Sequence, residues 1–571
     1  MIAYRMFLPI TKQEVEKRGW DYVDIILVSG DAYIDHPSFG TAVIGRTLEN
    51  AGFRVAIVAQ PNWRDDLRDF KKMGKPRLFF GVTSGSMDSM VNHYTAARRL
   101  RSDDAYTPNN EAGFRPDYAT TVYSKILKEL YPDTPLIIGG IEASMRRLAH
   151  YDYWEDRLFP SILIDSKADM LVYGMGEKVI VDIANRLSKG EKICEMISIP
   201  QTAFVTNNVN HTANDSIVLP SFEQCRADKK QQAQSMKIIE QNANAFNGKV
   251  LVQSYAKQYV IVNPMDNTFC SKDLDKSFDL PYMREPHPKY KKRGSIVAFE
   301  MIKHSVNIHR GCFGGCSFCT IAAHQGKRII SRSEGSILKE IKAISQRDDF
   351  KGYLTDLGGP SANMYKMEGR DRTLCEKCTK PSCIFPSVCK NMNNDHNPLL
   401  KLYEKVRGLP YIKKVFIGSG IRYDIFTDYK YFDIVFLHHV SGRLKVAPEH
   451  TSDKVLNIMR KPSFDKFVAL KKRFDLLNMK HNMKQQLIPY FISSHPASTM
   501  EDMADLVRQT AKLGYKLEQV QDFTPTPMTI STEIYYTGYN PMTMEKVYCA
   551  KTKEEKAAQN RIFFWYKKGK H

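Results

Sequence analysis

Three cysteines lie close together in the middle of the chain, in a glycine-rich segment. Cys312, Cys316 and Cys319 have the spacing C-x3-C-x2-C. Cysteine thiolates hold Fe–S clusters, which normally take four of them. Three thiolates on one loop can therefore converge on a cluster and leave one iron free to coordinate a small molecule. The alternatives are a zinc site, which normally has four ligands with two-residue spacings between paired cysteines, and unliganded buried cysteines.

Four more cysteines follow within fifteen residues: Cys375, Cys378, Cys383 and Cys389. Two prolines between them disfavour a regular helix or a central strand, so we expect the segment to be a loop. Four thiolates on a short loop suit tetrahedral zinc or an auxiliary Fe–S cluster, and the spacing does not separate the two. Such a site has no open position, which suits structure or electron transfer. Free thiols held by packing are the alternative.

Seven of the eleven cysteines lie between positions 312 and 389, whereas a secreted disulfide framework would spread them more evenly. Clustered cysteines in a cytosolic chain are typical of metal binding or catalysis. The apolar runs are far shorter than the ~20 residues of a membrane span, and the first residues do not resemble a secretory signal. We therefore expect a cytoplasmic protein that does not enter a membrane. The isolated cysteines are assigned to packing: Cys194, Cys225, Cys270 and Cys549.

The chain has 571 residues and a formal net charge of +20. This excess favours anionic partners such as nucleic acid or a phosphorylated ligand. The basic stretches are short, which is typical of solvated surface rather than of a nucleic-acid-binding tail. With 43% hydrophobic and 26% charged residues, the composition is that of a folded protein and makes wholesale disorder implausible. At ~100–200 residues per domain, the length allows three or four domains.

Strands and helices alternate through residues 1–206. This pattern predicts an α/β, Rossmann-like domain in which a parallel sheet carries helices on both faces. Ligands of such folds bind at the carboxyl ends of the strands, where this sequence places several glycines. The predicted strands cover residues 22–28, 53–58, 78–82, 136–140 and 170–174, and the predicted helices cover 40–50, 117–130 and 177–187.

A connector, residues 207–300, is predicted to hold a polar helix at 222–245 and a hairpin at 250–252 and 259–262. Residues 301–551 alternate strand and helix again, which predicts a full or partial (β/α) barrel with its site at the C-terminal mouth. The four-cysteine segment 375–389 interrupts this barrel, and residues 552–571 are predicted to be a charged, mobile tail. The barrel strands are predicted at 302–308, 352–355, 414–417, 434–437, 444–446, 486–491 and 517–523, with helices at 333–346, 452–459, 464–478 and 500–513.

The triplet has an arginine and a glycine before it and Phe318 before its last cysteine. In these features it resembles the radical S-adenosylmethionine (SAM) superfamily. The resemblance implies that Cys312, Cys316 and Cys319 hold a 4Fe–4S cluster whose free iron chelates the amino and carboxylate groups of SAM. It also implies that one electron from the cluster cleaves SAM to a 5′-deoxyadenosyl radical, which abstracts hydrogen from a substrate. A reductant such as flavodoxin or ferredoxin would supply the electron.

The chain as a whole resembles one branch of that superfamily, the YgiQ-type radical SAM proteins. The residues that carry this resemblance read VSGDAYIDHPSFG at 28–40, GGIEAS at 139–144 and VAPEHT at 446–451. The similarity runs from about residue 15 to residue 540. It indicates the chemistry of the triplet and leaves the substrate unidentified, although the net charge favours an anionic one.

Further cofactor-binding residues follow from the resemblance. Gly358 and Gly359 match the glycine pair whose backbone holds the SAM amino group, although Pro360 replaces the usual acidic residue after that pair. Ser419 and Arg422 are expected to line the ribose. The resemblance also places Phe318 in the cofactor site and Glu449 near polar groups of SAM. Ordinary βα turns are the alternative for the glycine pairs.

The N-terminal domain resembles the cobalamin-binding domain that precedes many radical SAM domains. Asp35 and His36 are adjacent, whereas the base-off motif Asp-x-His-x-x-Gly has a spacer between them, so we do not expect His36 to bind cobalt or the protein to bind cobalamin tightly. The alternative is a Rossmann-like domain that shapes a substrate pocket. Asp31, Asp35, His36 and Glu142 would then be substrate contacts, since they follow strands on loops.

The sequence thus predicts a radical SAM enzyme of unidentified substrate. Alternatives are a cobalamin-dependent radical SAM methylase, recognised by cobalamin in the purified protein, and an RNA- or tRNA-modifying radical SAM enzyme. A non-enzymatic alternative is a nucleic-acid-binding module built on the four-cysteine loop. The aromatic residues do not alternate with basic ones as base-stacking surfaces require, which disfavours that module. RNA binding that weakens steeply with salt would support it.

Overall fold

The computed structural model describes residues 6–208 and 215–567 of the chain. The chain divides into two compact units. The first unit comprises residues 1–228 and 247–303, and the second comprises 229–246 and 304–571. The connector predicted at 207–300 is therefore shared between the two units, with most of it in the first.

The first unit is built on one large sheet. Among its described residues, five parallel strands form the predicted α/β core, and further strands extend one edge. Apolar residues run almost without interruption through Ile25–Ser29, which is buried along its whole length between two parallel neighbours. In spatial order the strands are Ile217–Val218, Leu251–Tyr255, Gln258–Val262, Thr202–Thr206, Met170–Val172, Leu136–Gly139, Phe79–Thr83, Ile25–Ser29 and Val55–Ala59.

Helices flank this sheet where the sequence predicts them. Gly40–Asn50 presents Ala42, Val43 and Leu48 to the core, and this spacing is that of one helical face. The other long helices, Ala119–Leu130 and Glu177–Ser188, agree with prediction to within two residues at each end. The remaining helices of the unit are Lys12–Lys17, Arg68–Lys71, Ser89–His93, Gly140–Ser144, Ile162–Ser166, Phe222–Ala227, Ser271–Phe278 and Val297–Ile302.

The structure of residues 207–300 differs from the predicted connector in two places. Its hairpin, Leu251–Tyr255 and Gln258–Val262, joins the large sheet, because Val260 pairs with Val205 and the apolar side chains pack on the sheet. Its polar helix is broken at Asp228, which is extended (φ −134°, ψ 117°). The second part of that helix, Lys229–Asn244, belongs to the second unit.

The second unit is a partial (β/α) barrel. Ser305–Asn307 pairs in parallel with Asp356–Gly358, and Tyr353–Leu354 pairs in parallel with Lys414–Val415. A further parallel sheet contains the strands Arg443–Glu449, Gln486–Ser493 and Val520–Asp522. Within residues 304–567, no strand ladder joins Lys414–Val415 to Arg443–Glu449, so the ring of strands is not closed.

One predicted strand of the barrel is wrong. Residues 434–437 lie in the helix Lys430–His438, where Tyr431, Phe432, Val435 and Phe436 are buried. Their i, i+1, i+4, i+5 spacing is that of a helix face, and a short apolar run alone does not reveal it. The other helices of the unit are Thr320–Gln325, Glu334–Ser345, Arg372–Glu376, Asn397–Arg407, Asp453–Met459, Phe464–Lys480, Met500–Lys512, Ile530–Thr537 and Lys553–Arg561.

The predicted charged tail, residues 552–571, contains regular structure in its described part, and residues 568–571 lie outside the described residues. It begins with the helix Lys553–Arg561, in which Gln559 is fully buried. Gln559 accepts a hydrogen bond from the Ser494 backbone amide (2.9 Å) and donates one to the Ser498 carbonyl (2.8 Å), and Phe563 enters the core. No helix in the described part of the chain has the length and apolar character needed to span a membrane.

Candidate functional site

The triplet lies on a loop between the short strand His309–Arg310 and the helix Thr320–Gln325. Gly311 has φ +85°, and a Cβ there would lie 1.8 Å from a backbone carbonyl oxygen of a neighbouring segment. Gly314 leaves space beside Cys312, since a Cβ at Gly314 would lie 3.3 Å from the Cys312 Sγ. Glycine is therefore required at Gly311, where the loop turns, and a side chain at Gly314 would be in tight contact with the Cys312 thiol.

The three thiols of the triplet converge. Each lies within electrostatic reach of the other two. Burial raises the pKa of Cys312, and it raises the pKa of Cys319 to about 12. These two thiols are therefore protonated at neutral pH in the absence of a metal, and metal binding must displace their protons.

Arg422 contacts the triplet directly. Its Nη1 donates a hydrogen bond to the Cys316 Sγ at 3.2 Å. Asp424 holds the guanidinium through two further bonds, from Nε (3.0 Å) and Nη2 (2.6 Å). Burial opposes the charge on Arg422, but Asp424 and the nearby thiols hold its pKa well above the usual range. We predicted Arg422 to line the ribose, and the structure places its guanidinium on a triplet sulfur.

The predicted glycine pair ends a barrel strand beside Ser419. The Asp356 carboxylate accepts bonds from the backbone amides of Gly418 (2.9 Å) and Ser419 (3.3 Å), and the Ser419 hydroxyl also donates to it. A Cβ at Gly358 would lie 2.7 Å from the Ser419 hydroxyl oxygen. Asp356 thus fastens two strand ends together, and burial raises its pKa.

Glu449 lies at the end of the strand Arg443–Glu449, after an irregularity in the ladder. Its φ of +69° is unusual for a residue with a side chain, which marks a strained position. The carboxylate lies 3.6 Å from Lys461 Nζ and within electrostatic reach of Arg422. Burial raises the pKa of Glu449, while both cations act to lower it. The structure therefore brings Glu449 into the same charged neighbourhood as the triplet.

Phe318 lies inside the triplet and packs against His495, edge to face, with ring centroids 5.9 Å apart. The neighbouring Ser317 is anchored by its backbone amide, which donates to the Met459 carbonyl (3.1 Å), and by its hydroxyl, which bonds the Ser531 hydroxyl (2.7 Å). These contacts fix the loop to the surrounding barrel elements.

His309 is a residue that the sequence reasoning missed. It is fully buried, and within the described part of the chain neither ring nitrogen has a hydrogen-bond partner. Its ring is packed on Gly359, where a Cβ would lie 2.4 Å from the imidazole. Burial lowers the pKa of His309 to about 3, so the imidazole is neutral. Both ring nitrogens of His309 are therefore available to a hydrogen-bonding ligand.

Strand alternation could have revealed His309. Val306, in the strand Ser305–Asn307, and Ile308, directly after that strand, pack in the hydrophobic core. Because successive side chains of a strand face opposite sides, Asn307 and His309 face the other way. The Asn307 Oδ1 is also buried with no partner among the described residues. Two polar side chains on the face away from the core, immediately before the triplet, are the signal.

The thiols of the four-cysteine loop lie near one another. Cys375, Cys378 and Cys389 all lie within electrostatic reach of Cys383. Burial raises the pKa of Cys375, and it raises the pKa of Cys383 to about 11. In the described ranges 6–208 and 215–567, no group of three or more His, Cys, Asp or Glu side chains is spaced to hold a metal ion, and this applies to both cysteine groups.

The triplet nevertheless fits an Fe–S cluster. Its three sulfurs would bind three different irons, which does not require the close spacing of ligands around a single ion. Their neighbourhood also suits thiolate charge, because Arg422 donates to Cys316 and the Ser361 hydroxyl lies 3.8 Å from the Cys312 Sγ. Hydrogen bonds to cluster sulfurs are one of the means by which proteins tune such centres.

The first unit gives internal partners to the residues that we considered as substrate contacts. Asp35 forms a buried ion pair with Arg46. His36 is buried, with its Nδ1 accepting from the Ser38 amide (3.2 Å) and its Nε2 lying 3.4 Å from Arg284 Nη1. The same applies to the other two candidates, since Asp31 pairs with Arg115 and Glu142 accepts bonds from Ser89 and Thr120.

Known proteins resemble this chain over nearly its whole length. A family model described as Radical SAM N-terminal matches residues 7–305, and one described as Domain of unknown function (DUF3362) matches residues 518–570. The UPF0313 protein of Bacteroides thetaiotaomicron is 57% identical over 592 residues, covering 99% of this chain and 95% of that protein. The UPF0313 protein of Porphyromonas gingivalis is 57% identical over 576 residues, covering 98% and 90%. This chain belongs to the UPF0313 family of the radical SAM superfamily.

A solved structure shares the fold of this UPF0313 protein. It is the radical SAM methyltransferase TsrM from Kitasatospora setae with tryptophan substrate and the SAM analogue aza-SAM bound. The TM-score is 0.50 with 15% sequence identity, and the match covers 89% of this chain and 75% of that one. At this identity the likeness concerns the fold alone.

Proposed function

We propose that this UPF0313 protein is a radical SAM enzyme. Its substrate, which is unidentified, is the molecule from which the 5′-deoxyadenosyl radical abstracts hydrogen. The observation that carries the proposal is the convergence of Cys312, Cys316 and Cys319 on one loop, with Arg422 donating to the Cys316 sulfur. A 4Fe–4S cluster, when bound, supplies the electron that cleaves SAM to methionine and a 5′-deoxyadenosyl radical.

The protein contributes the charge balance of the cluster site. The thiols of the triplet lose their protons when metal binds, and the Arg422 guanidinium lies beside the negative charge that results. Asp424 fixes the direction of that guanidinium.

We assign SAM binding to the polar groups around the glycine pair. The backbone at Gly358 and Gly359 is proposed to hold the amino group, and Pro360 contributes no carboxylate there. Asp356 is engaged with Gly418 and Ser419, so its role is to shape the pocket. Unpartnered groups supply the remaining bonds to SAM in this proposal: the imidazole of His309 and the amide oxygen of Asn307.

The test is anaerobic reconstitution with iron and sulfide, followed by an assay for 5′-deoxyadenosine after addition of SAM and a reductant. We expect brown protein that cleaves SAM, and we expect the variant with Cys312, Cys316 and Cys319 all changed to Ala to lose this activity. The matched control is Cys194→Ala with Cys270→Ala, since both cysteines are exposed and lie outside the two groups. Unimpaired cleavage by the triplet variant would overturn the proposal.

The substrate class is tested with the same assay. Fractionated cell extract is screened for compounds that stimulate SAM cleavage, with flavodoxin or ferredoxin as the electron donor. An anionic small molecule is the expected result, given the charge of +20. Stimulation by tRNA, with binding that weakens steeply as salt rises, would favour the RNA-modifying alternative.

A further inference from the structure

The four-cysteine loop is fastened to the triplet loop by its backbone. The Cys383 amide donates to the Phe313 carbonyl at 3.0 Å. The Ser382 hydroxyl donates to the Gly314 carbonyl at 2.7 Å. Gly315 has φ +61°, and a Cβ there would lie 2.2 Å from the Pro381 carbonyl oxygen. The two loops are therefore in direct contact at this glycine. Three consecutive residues of the triplet loop, Phe313, Gly314 and Gly315, therefore contact the four-cysteine loop.

A small apolar cluster continues the contact. Phe313 packs in one buried group with Ile384, Met364, Met367 and Met392. Phe313 follows the first cysteine of the triplet, and Ile384 follows the third cysteine of the four-cysteine loop. The position of one loop is thus coupled to the position of the other by packing as well as by hydrogen bonds.

The four-cysteine loop contains little regular structure to hold it in place. Between the paired strands Glu368–Gly369 and Met392–Asn393, the only helix among the described residues is Arg372–Glu376. Two backbone hydrogen bonds join the cysteines in pairs. The Cys378 amide donates to the Cys375 carbonyl (3.1 Å), and the Cys389 amide donates to the Cys383 carbonyl (2.8 Å).

The surroundings of these thiols are basic. Lys327 acts electrostatically on both Cys375 and Cys383, and its Nζ donates to a carbonyl of the loop, that of Lys380. A metal centre with four thiolates is anionic, and nearby cations stabilise it. The Asn391 amide also donates to the Cys375 Sγ at 3.3 Å, a bond suited to a thiolate acceptor.

We propose that Cys375, Cys378, Cys383 and Cys389 bind one thiolate-ligated metal centre, separate from the triplet, that braces the triplet loop. The ligand chemistry is a thiophilic metal, either zinc or iron with sulfide. Coordination supplies folding free energy to a loop that has little of its own. The thiols lie near one another, and coordination requires them to reach ligand spacing.

Metal binding is tested by elemental analysis of the full-length protein with Cys312, Cys316 and Cys319 changed to Ala, purified anaerobically. We expect one metal centre per chain to remain, and to be lost when Cys389→Ser is added. Zinc supports a structural centre, and iron with acid-labile sulfide supports an auxiliary cluster. Finding neither metal would overturn the proposal, whatever the result for SAM cleavage.

Bracing is tested in the protein with an intact triplet. This part rests on the proposed function only in assuming that the triplet holds iron. Cys389→Ser is compared with Cys270→Ser, because both cysteines are exposed and neither substitution disturbs packing. We expect the loss of the second centre to speed amide hydrogen exchange at residues 311–317 and to speed chelator removal of triplet iron roughly 10-fold.

The outcomes separate the two hypotheses. Faster exchange at 311–317 in Cys389→Ser but not in Cys270→Ser supports bracing even if the protein never cleaves SAM. Unchanged exchange and unchanged iron loss in Cys389→Ser, in protein shown to have lost the second metal, would overturn bracing. Circular dichroism of both variants confirms that each is folded before exchange is measured.

Discussion

Both units place charged and polar groups where their strands end, but they partner them differently. In the first unit, Arg115 lies between two carboxylates, with Nη1 3.0 Å from Asp31 and Nη2 2.9 Å from Asp104. Arg115 also donates to the Ser84 carbonyl (2.9 Å), just after the strand Phe79–Thr83. It therefore occupies the crevice between two central strands where doubly wound sheets bind their ligands.

The second unit leaves some of its buried groups without an opposite charge, although Arg422 and Asp424 form an ion pair there. The neutral imidazole of His309 has no partner in the described ranges, and the triplet thiols are buried beside a single arginine. Glu533 is a buried carboxyl that receives one bond, from Gln232 Nε2 at 2.9 Å. The comparison teaches that residues of similar type serve folding in the first unit and, in our proposal, ligands in the second.

The largest effect is expected in the first unit. Arg115→Ala would leave Asp31 and Asp104 buried without their cation, although burial already raises the pKa of Asp31. Removing one partner of a buried ion pair costs about 3–5 kcal/mol, so we expect the free energy of unfolding to fall by that amount. Urea unfolding followed by circular dichroism measures it.

The control for Arg115→Ala is Arg68→Ala, whose pair with Asp66 is exposed and should change little. If Arg115→Ala proves as stable as Arg68→Ala, then the ion pairs of the first unit are not structural. The contrast between the two units would then be lost.

Next in size is Glu533→Gln. Burial raises the pKa of Glu533 to about 7, from an ordinary value of 4.5. The folded state therefore holds the proton more tightly, and this contribution is present below pH 4.5 and is lost as the pH rises to about 7. Because one pKa unit corresponds to ~1.4 kcal/mol, we expect Glu533→Gln to raise the free energy of unfolding at pH 8 by about 3 kcal/mol.

The measurement is urea unfolding of the metal-free protein between pH 4.5 and 8. The variant should lose the fall in stability that Glu533 causes over that range. Glu404→Gln, at an exposed helix position, is the control and should keep it. Equal pH dependence in both variants would show that Glu533 does not have a raised pKa in the folded protein.

A smaller effect is expected from the double variant Arg422→Gln/Asp424→Asn. It removes the donor to Cys316 without leaving an unpaired charge. We expect SAM cleavage to fall roughly 10–100-fold, the range typical of groups that support metal ligands. Without the nearby cation, the midpoint potential of the cluster should become more negative, and an EPR-monitored titration measures it.

The matched control is Arg473→Gln/Asp433→Asn, which removes an ion pair elsewhere in the second unit. It should change neither the potential nor the cleavage rate. An unaltered potential in the Arg422 variant would show that this arginine only packs beside the cluster.

The smallest expected effect concerns cobalamin. Because His36 is engaged with Ser38 and Arg284, and Arg115 occupies the crevice, we expect no tight binding. Protein mixed with cobalamin should leave gel filtration without a stoichiometric amount of it. Retained cobalamin would contradict the contrast between the units and would favour the methylase alternative.

Local patterns predicted the elements whose signals lie in neighbouring residues. The helix Gly40–Asn50 and the strand Ile25–Ser29 follow from side-chain periodicity and from a continuous apolar run. The apolar run in the helix Lys430–His438 is short enough for a strand as well, which is why the local pattern predicts the wrong element there. The hairpin Leu251–Tyr255 and Gln258–Val262 was found, but its place in the large sheet depends on pairing with Thr202–Thr206, which no local pattern shows.

The sequence by itself determined that the three thiols of the triplet lie near one another, because they are spaced over eight residues, and the family resemblance indicated their chemistry. Tertiary structure alone decided what surrounds them. Arg422 reaches Cys316 across 106 residues of chain, and Ser382 of the four-cysteine loop reaches Gly314 across 68. Burial, which leaves His309 neutral and raises the pKa of Glu533, likewise arises only when distant elements exclude water from those groups.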